Sequence, residues 1–412
     1  QYDEQSRYWP EPLLQINPNY KSETTVAEQV RKGVLDPLCE TIFSFQGSDF
    51  RLYTHQEYAI DLARQNQSYI VTTGTGSGKS LSFFIPIVNR IIEEKKQDST
   101  PRTRAIIIYP MNALANSQLE EIKKFLCNDP LGTVTVARYT GQEEQDEREA
   151  LRTNPPDILL TNYVMLEMIL TRYEDIDVVR NCEDLSFLVL DELHTYRGRQ
   201  GADVAMLIRR LRHQLHCHDH LVCIGTSATM SSEGSAKHQR DVVAEVASKI
   251  FGVAIPAQNV IGEDLERVTN PLLSRESILP QLPHEVKDAA AGTLTIADYE
   301  AFRESALAVW LEVTLSIVEG RRAMPMPVAE VVTQLAKDAG VDEETARQAL
   351  HYFLMTFSDG SAIKTPRGRH PFAFKLHQFI SGPGKVYVTL EPEEQRYVTL
   401  DGQRFKPGDE HS

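Results

Sequence analysis

Two short stretches of this chain carry groups suited to handling phosphate. The first is Tyr69-Ile-Val-Thr-Thr73-Gly74-Thr75-Gly76-Ser77-Gly78-Lys79-Ser80, an apolar strand-like run followed by a glycine-rich loop and a helical pattern from Leu81. Gly74, Gly76 and Gly78 let backbone amides approach phosphate oxygens closely. The start of a helix adds its positive dipole end. Lys79 can then reach the β- and γ-phosphates of a nucleoside triphosphate, and the Ser80 hydroxyl can ligate Mg²⁺. The strict form of such a loop has Gly where Thr73 stands. Thr73 to Ser80, including Thr75 and Ser77, is the expected phosphate cradle. The second stretch is Leu188-Val-Leu-Asp191-Glu192-Leu193-His194. A buried strand would deliver Asp191 to the edge of the site to hold Mg²⁺ through water. Glu192 would be placed as general base on an attacking water. Acids at a strand end also begin ordinary loops; what favours the catalytic reading is that these follow a phosphate loop.

Elements able to position these groups are visible around them. Short apolar runs rich in β-branched residues occur at Tyr69–Thr73, Arg104–Tyr109, Thr133–Tyr139, Asp157–Thr161, Ser186–Asp191 and Leu221–Thr226. Between them lie helical patterns, among them Leu81–Lys95, Asn112–Leu126 and Gly201–Leu215. Continuous apolar strands alternating with helices indicate an α/β fold with a parallel sheet covered by helices on both faces. Ligands bind beyond the carboxyl ends of such strands, which is where both phosphate-handling stretches fall. The chain therefore reads as an N-terminal extension (1–48) and an ATP-binding lobe (49–255), then a helical module (256–358) and a β-rich segment (359–412). In the helical module, patterns at Ile296–Gly320, Val328–Gly340 and Asp342–Phe357 follow a stretch marked by Pro256, Pro271, Pro280 and Pro283. The last two resemble a helix-turn-helix. Asp342-Glu343-Glu344 at the start of the second suits the helix dipole but repels phosphate, which favours a structural module.

Composition narrows the field. With 412 residues, 41% of them hydrophobic, the chain can bury more than one core. Its net charge of −15 argues against coating nucleic acid by bulk charge. Local basic patches occur at Lys123-Lys124, Arg209-Arg210, Arg321-Arg322 and Lys364 to Lys375. No apolar run is long enough for a membrane span. The sequence begins Gln1-Tyr2 without Met or a signal pattern, as expected of a piece of a longer chain or of one with missing ends. Five scattered cysteines, with no CxxC pattern, fit a reducing cytoplasm.

Further motifs, in order, resemble those of the superfamily 2 DExH helicases. Leu52-Tyr53-Thr-His-Gln56 resembles the motif in which a glutamine reads adenine, with Tyr53 or Phe50 beside the base. Tyr109-Pro110-Met-Asn112-Ala-Leu-Ala-Asn-Ser-Gln118 resembles a motif that touches the nucleic-acid backbone. Thr140-Gly141 and Thr161-Asn162 resemble two more of that kind. Gly225-Thr-Ser227-Ala228-Thr229 resembles the motif that links hydrolysis to strand movement, with His194 on the same path. Asp191 to Gly201, with Lys375-Leu-His-Gln-Phe379, is similar to the YprA/MrfA group, related to Lhr. The resemblance implies a RecA-like lobe using ATP and Mg²⁺ for 3′-to-5′ movement on single-stranded or tailed DNA, RNA not being excluded. Its settings would be genome repair or phage defence, with or without a protein partner.

A complete motor of that family has a second RecA-like lobe carrying Gln-x-x-Gly-Arg-x-x-Arg, and this motif is not found here. The expectation is one lobe plus an accessory region, nearly inactive alone, whose second lobe lies outside this sequence. A different class of function is an ATP-gated scaffold or switch that does not unwind. His216-Cys-His-Asp-His220 has metal-capable side chains, but neighbours in a turn point in different directions. Lys364, Arg367, Arg369 and Lys375 form a second nucleic-acid candidate, to which Phe372 and Phe374 could add base stacking, although packing in a core is the favoured reading of those two.

Overall fold

The computed structural model describes residues 11–45, 48–74, 76–217, 220–227, 236–318, 320–357, 363–366, 368–378, 387–388 and 398–399. Thr75, Ala228, Thr229, His218, Asp219, Arg367 and Phe379, singled out above, lie outside them. The chain divides into two compact units. One is Tyr20–Asp264; the other combines Gln1–Asn19 with Leu265–Ser412.

The first unit is built on seven parallel strands: β1 (Tyr69–Val71), β2 (Ala105–Tyr109), β3 (Val136–Arg138), β4 (Ile158–Asn162), β5 (Phe187–Leu190), β6 (Val222–Thr226) and β7 (Val260–Ile261). Their order across the sheet is β7-β1-β6-β5-β2-β4-β3. The helices that matter for the site are α1 (Thr54–Arg64), α2 (Leu81–Gln97), α3 (Asn112–Leu126), α4 (Gly198–Gln214) and α5 (Ala236–Phe251). Alternate strand residues enter two different cores, as the pleat requires. Ile107 and Tyr109 join Ile60, Phe83, Ile87 and Leu119 from α1, α2 and α3. Ile106 and Ile108 join Val204, Leu207, Val243 and Ala247 from α4 and α5. The sheet is thus the parallel, doubly covered one expected. It continues past residue 255 because Val260–Ile261 pairs with Ile70–Val71 as an edge strand. Two residues carry no readable period, which is why the sequence placed the lobe boundary earlier.

In the second unit Leu13–Asn17 is the middle strand of a three-stranded antiparallel sheet, between Met326–Pro327 and Ala373–His377. Leu14 and Ile16 enter the core around Trp310, so this part of the expected N-terminal extension belongs to the accessory unit. The pattern read as one helix over Ile296–Gly320 is two helices, Tyr299–Glu304 and Ala306–Leu315, then a hairpin pairing Ile317–Val318 with Arg321–Arg322. The break falls at Ser305, whose hydroxyl accepts from Ala308 N and caps the second helix. Helices Val328–Ala339 and Glu343–Phe357 meet at Gly340, whose φ of 61° ends the first. Their apolar faces enter the same core, in keeping with a structural module. Phe372 is also core, 1% exposed and 5.0 Å from the Phe302 ring, and so is not available for base stacking.

At the amino ends of β2 and β4, Arg104 and Asp157 form a fully buried pair at 2.9 Å. Asp157 also accepts from Lys95 Nζ at 2.6 Å and from Thr135 N at 2.9 Å. Removing one partner of such a pair strands the other charge. Asp157→Ala should therefore lower unfolding stability by about 3–5 kcal/mol in urea titration. A loss under about 1 kcal/mol would reject the pair as a structural anchor.

Candidate functional site

The strand order sorts the predicted site residues into two groups at the carboxyl edge. β1, β6 and β5 are neighbours, so the loop after β1, the acidic box after β5 and Ser227 after β6 converge. β2, β4 and β3 are neighbours on the other side and bring Pro110–Asn116, Thr161–Asn162 and Thr140–Gly141 together.

The phosphate loop runs from Thr72 to Ser80 between β1 and α2. Gly76 and Gly78 have φ of 81° and 70°, conformations natural to glycine. A Cβ on Gly78 would also lie 2.7 Å from Gln56 Nε2. The loop is held from several sides. Thr73 and Ser77 hydroxyls bond at 2.6 Å, and His55 Nε2 meets Ser77 O at 3.0 Å. Gln56 accepts from Tyr53 N at 3.0 Å and donates to Gly78 O at 3.1 Å, so it clasps the loop to the start of α1. Glu263, just beyond β7, accepts from Gly74 N at 3.1 Å. Tyr53 and His55 rings stack at 5.5 Å, whereas Phe50 packs edge-on against Phe125. Burial pushes the His55 imidazole below its ordinary pKa, keeping it neutral.

Lys79 ends this loop with a buried ammonium that has no hydrogen-bond partner among the described residues. Its nearest countercharge is Glu192 Oε1 at 3.5 Å, close enough for attraction and short of a hydrogen bond. Glu192 has φ 52° and ψ 53°, a left-handed backbone that costs a non-glycine residue about 1 kcal/mol or more. This turn directs its carboxylate back over the sheet edge toward Lys79. Its other oxygen lies 3.1 Å from His194 Nδ1, which is 3.3 Å from Ser227 Oγ. Asp191, beside it, accepts from the Thr226 hydroxyl, and Thr226 Oγ1 also accepts from Glu192 N at 3.1 Å. Burial raises the Asp191 carboxyl above its usual pKa; Glu192 adds to this, and the Thr226 hydrogen bond and Lys79 oppose it. Ser80 Oγ stands on the same edge and donates to Gln118 Oε1 at 3.0 Å. A stranded buried ammonium, a half-buried carboxyl and a hydroxyl on one edge fit a phosphate with its cation.

On the β2–β4–β3 side, Asn162 caps the following helix through Met165 N and donates to Asn112 Oδ1 at 2.6 Å. Arg138 at the end of β3 donates to Asn116 Oδ1 at 2.6 Å. Other expected contacts face inward. Thr161 is fully buried, with its hydroxyl on Tyr139 O at 2.7 Å. The N–H groups of Thr140 and Gly141 both donate to Glu143 Oε2 at 2.8 Å. Gln118 is at the phosphate loop, apart from Asn112 and Asn116. His55, Thr226, Glu263, Glu143 and Arg138 were not singled out from sequence. His55, Thr226 and Arg138 sit next to or within the motifs; Glu263 lies 189 residues from its partner, with no signal to find it.

Residues 53–236 match the DEAD/DEAH box helicase family. The chain is 33% identical over 200 residues to the uncharacterized ATP-dependent helicase YprA of Bacillus subtilis, covering 48% of this chain and 25% of that protein. It is 27% identical over 337 residues to the Druantia protein DruE of Escherichia coli, covering 54% and 18%. Among solved structures, that of the DUF1998 helicase MrfA bound to DNA and AMPPNP matches with TM-score 0.49 and 24% identity, covering 69% of this chain and 38% of that one. The chain spans about a fifth to a third of the length of the curated relatives it matches. The residues that match this family model, 53–236, are those that carry the phosphate loop, the acidic box and strands β1 to β6 of the parallel sheet described above.

Proposed function

We propose that this chain is the first motor lobe of an ATP-driven DNA helicase or translocase. The observation that carries the reading is the path Lys79–Glu192–His194–Ser227 at the edge shared by β1, β5 and β6. In this reading Lys79 exchanges its contact with Glu192 for the β- and γ-phosphates, which ends the stranding of its ammonium. Glu192, released, accepts a proton from the attacking water. His194 carries the change at Glu192 to Ser227 of the coupling motif. Ser80 and Asp191 would hold Mg²⁺, which when bound would neutralise charge on the phosphate oxygens. Tyr53 offers an aromatic face for adenine, and Gln56 links that base to the phosphate loop.

DNA would lie across the β2–β4–β3 side, where Asn112, Asn162 and Pro110 flank the start of α3. Because Glu143 takes the Thr140 and Gly141 amides, a backbone phosphate here would meet Arg138, Asn116 and Gln142 instead. A second RecA-like lobe outside this sequence would supply the arginines that stabilise the transferred phosphoryl. The similarity to the ATP-dependent helicase YprA supports ATP-driven movement on nucleic acid; DNA as that nucleic acid, and a setting in repair or defence, follow from the resemblance of the sequence motifs. Free cysteines at all five positions accord with a cytoplasmic location. No helix among the described residues is long and apolar enough to cross a membrane.

The chain should bind ATP with Mg²⁺ and turn it over slowly, since the missing arginines are worth about 10³–10⁵ in rate. Lys79→Ala should weaken nucleotide binding at least about tenfold by calorimetry. With a second lobe present, Glu192→Gln should keep binding and lower turnover by about 10²–10⁴. Fast DNA-stimulated turnover by these 412 residues alone would overturn the two-lobe reading. A scaffold would instead hold its partner when Glu192→Gln traps ATP.

Asp191 makes a second test. Its raised pKa favours the protonated form in the folded lobe. That contribution to stability is present below the ordinary carboxyl range and is lost as pH rises through the raised pKa. Asparagine is neutral throughout. The ligand-free melting temperature of Asp191→Asn at pH 7 should therefore equal or exceed the parent's, with the gap closing in acid, while Mg²⁺-dependent turnover is lost. A lower melting temperature at pH 7 would show that the carboxylate is structural.

A further inference from the structure

Gln118 is placed by sequence among residues that touch nucleic acid, but its amide oxygen accepts from Ser80 Oγ at 3.0 Å. It stands about 120° and 160° around α3 from Asn112 and Asn116, so the helix turns a different face to the phosphate loop. A serine hydroxyl has one proton and two lone pairs. With the proton committed to Gln118, both lone pairs remain for a cation.

We propose that Gln118 is a positioning residue for the cation of the nucleotide site: it fixes the Ser80 hydroxyl so that its lone pairs, and not its proton, face Mg²⁺. The inference rests on the reading of Thr73–Ser80 as that site. It also makes α3 an element shared by the two edges. Its start bears Asn112 and Asn116 beside β4 and β3, and two turns later it sets a metal ligand. Residues that orient metal ligands in this way change metal affinity by about 10–100-fold when removed.

The test is calorimetric titration of the full chain with a non-hydrolysable ATP analogue, once in Mg²⁺ and once in EDTA. The parent should bind more tightly in Mg²⁺. Gln118→Leu, which keeps size and removes the acceptor, should lose about tenfold or more of that gain while its affinity in EDTA stays within about twofold. Gln118→Glu, which keeps an acceptor, should retain the gain. A merely structural role would lower both affinities together and would overturn the proposal, as would a full Mg²⁺ gain in Gln118→Leu. If that variant does not fold, Gln118→Asn, whose acceptor is withdrawn by one methylene, is judged by the same ratio. Parent and Lys79→Ala binding equally, with no Mg²⁺ gain in either, would remove the nucleotide site itself; normal parent binding with an unaffected Gln118 variant removes only the role of Gln118.

Discussion

Strands buried on both faces leave polar chemistry only one place to emerge. In the sheet of the first unit, Ile106 and Ile108 pack to one side and Ile107 and Tyr109 to the other, all at most 2% exposed. A charged side chain in the middle of such a strand would be desolvated without a partner. The groups that could act on phosphate therefore stand where strands end. The order β7-β1-β6-β5-β2-β4-β3 then decides which ends meet. Phosphate loop, acidic box and coupling serine share one side, and the asparagines and Arg138 the other.

The nucleotide edge carries local costs that a purely structural design would avoid. The Lys79 ammonium is buried with no hydrogen-bond partner among the described residues, Asp191 is half-buried with its pKa raised, and Glu192 occupies a left-handed conformation. Each is unfavourable in the ligand-free lobe, and in the proposed function each would be relieved or put to use by a polyanion with a divalent cation. Unsatisfied groups of this kind cluster at functional sites because the surrounding fold over-determines them. Here the over-determination is explicit: His55 and Gln56 from α1 and Glu263 from beyond β7 hold the phosphate loop, and Thr73 and Ser77 brace it from within.

The far end of the sheet has the opposite character. Arg104 and Lys95 both pair with the Asp157 carboxylate below the strands, and the Arg104 Nε lies 3.2 Å from Glu94. The accessory unit likewise spends its polar groups on structure. Buried Glu312 accepts from the Val268 and Thr269 amides at 2.7 and 3.0 Å, which fixes the stretch after residue 265 onto the helix Ala306–Leu315.

The chemistry of the lobe is written in contiguous residues. Loop, lysine and hydroxyl lie within Thr73–Ser80, and the acids within Asp191–Glu192, because a tight phosphate turn and a strand end are local structures. Six of the seven strands were legible for the same reason: each is a continuous apolar run. Relations between distant segments were not. That Glu263 reaches Gly74, that Gln118 turns to Ser80 and Thr161 inward, and that Leu13–Asn17 pairs with Ala373–His377 all follow from strand order and helix facing. The sequence by itself determined that a nucleotide-handling parallel sheet would form, since periodicity and glycine spacing encode local geometry. Only the tertiary structure decided which side chains share an edge, because packing between elements far apart leaves no period in the chain.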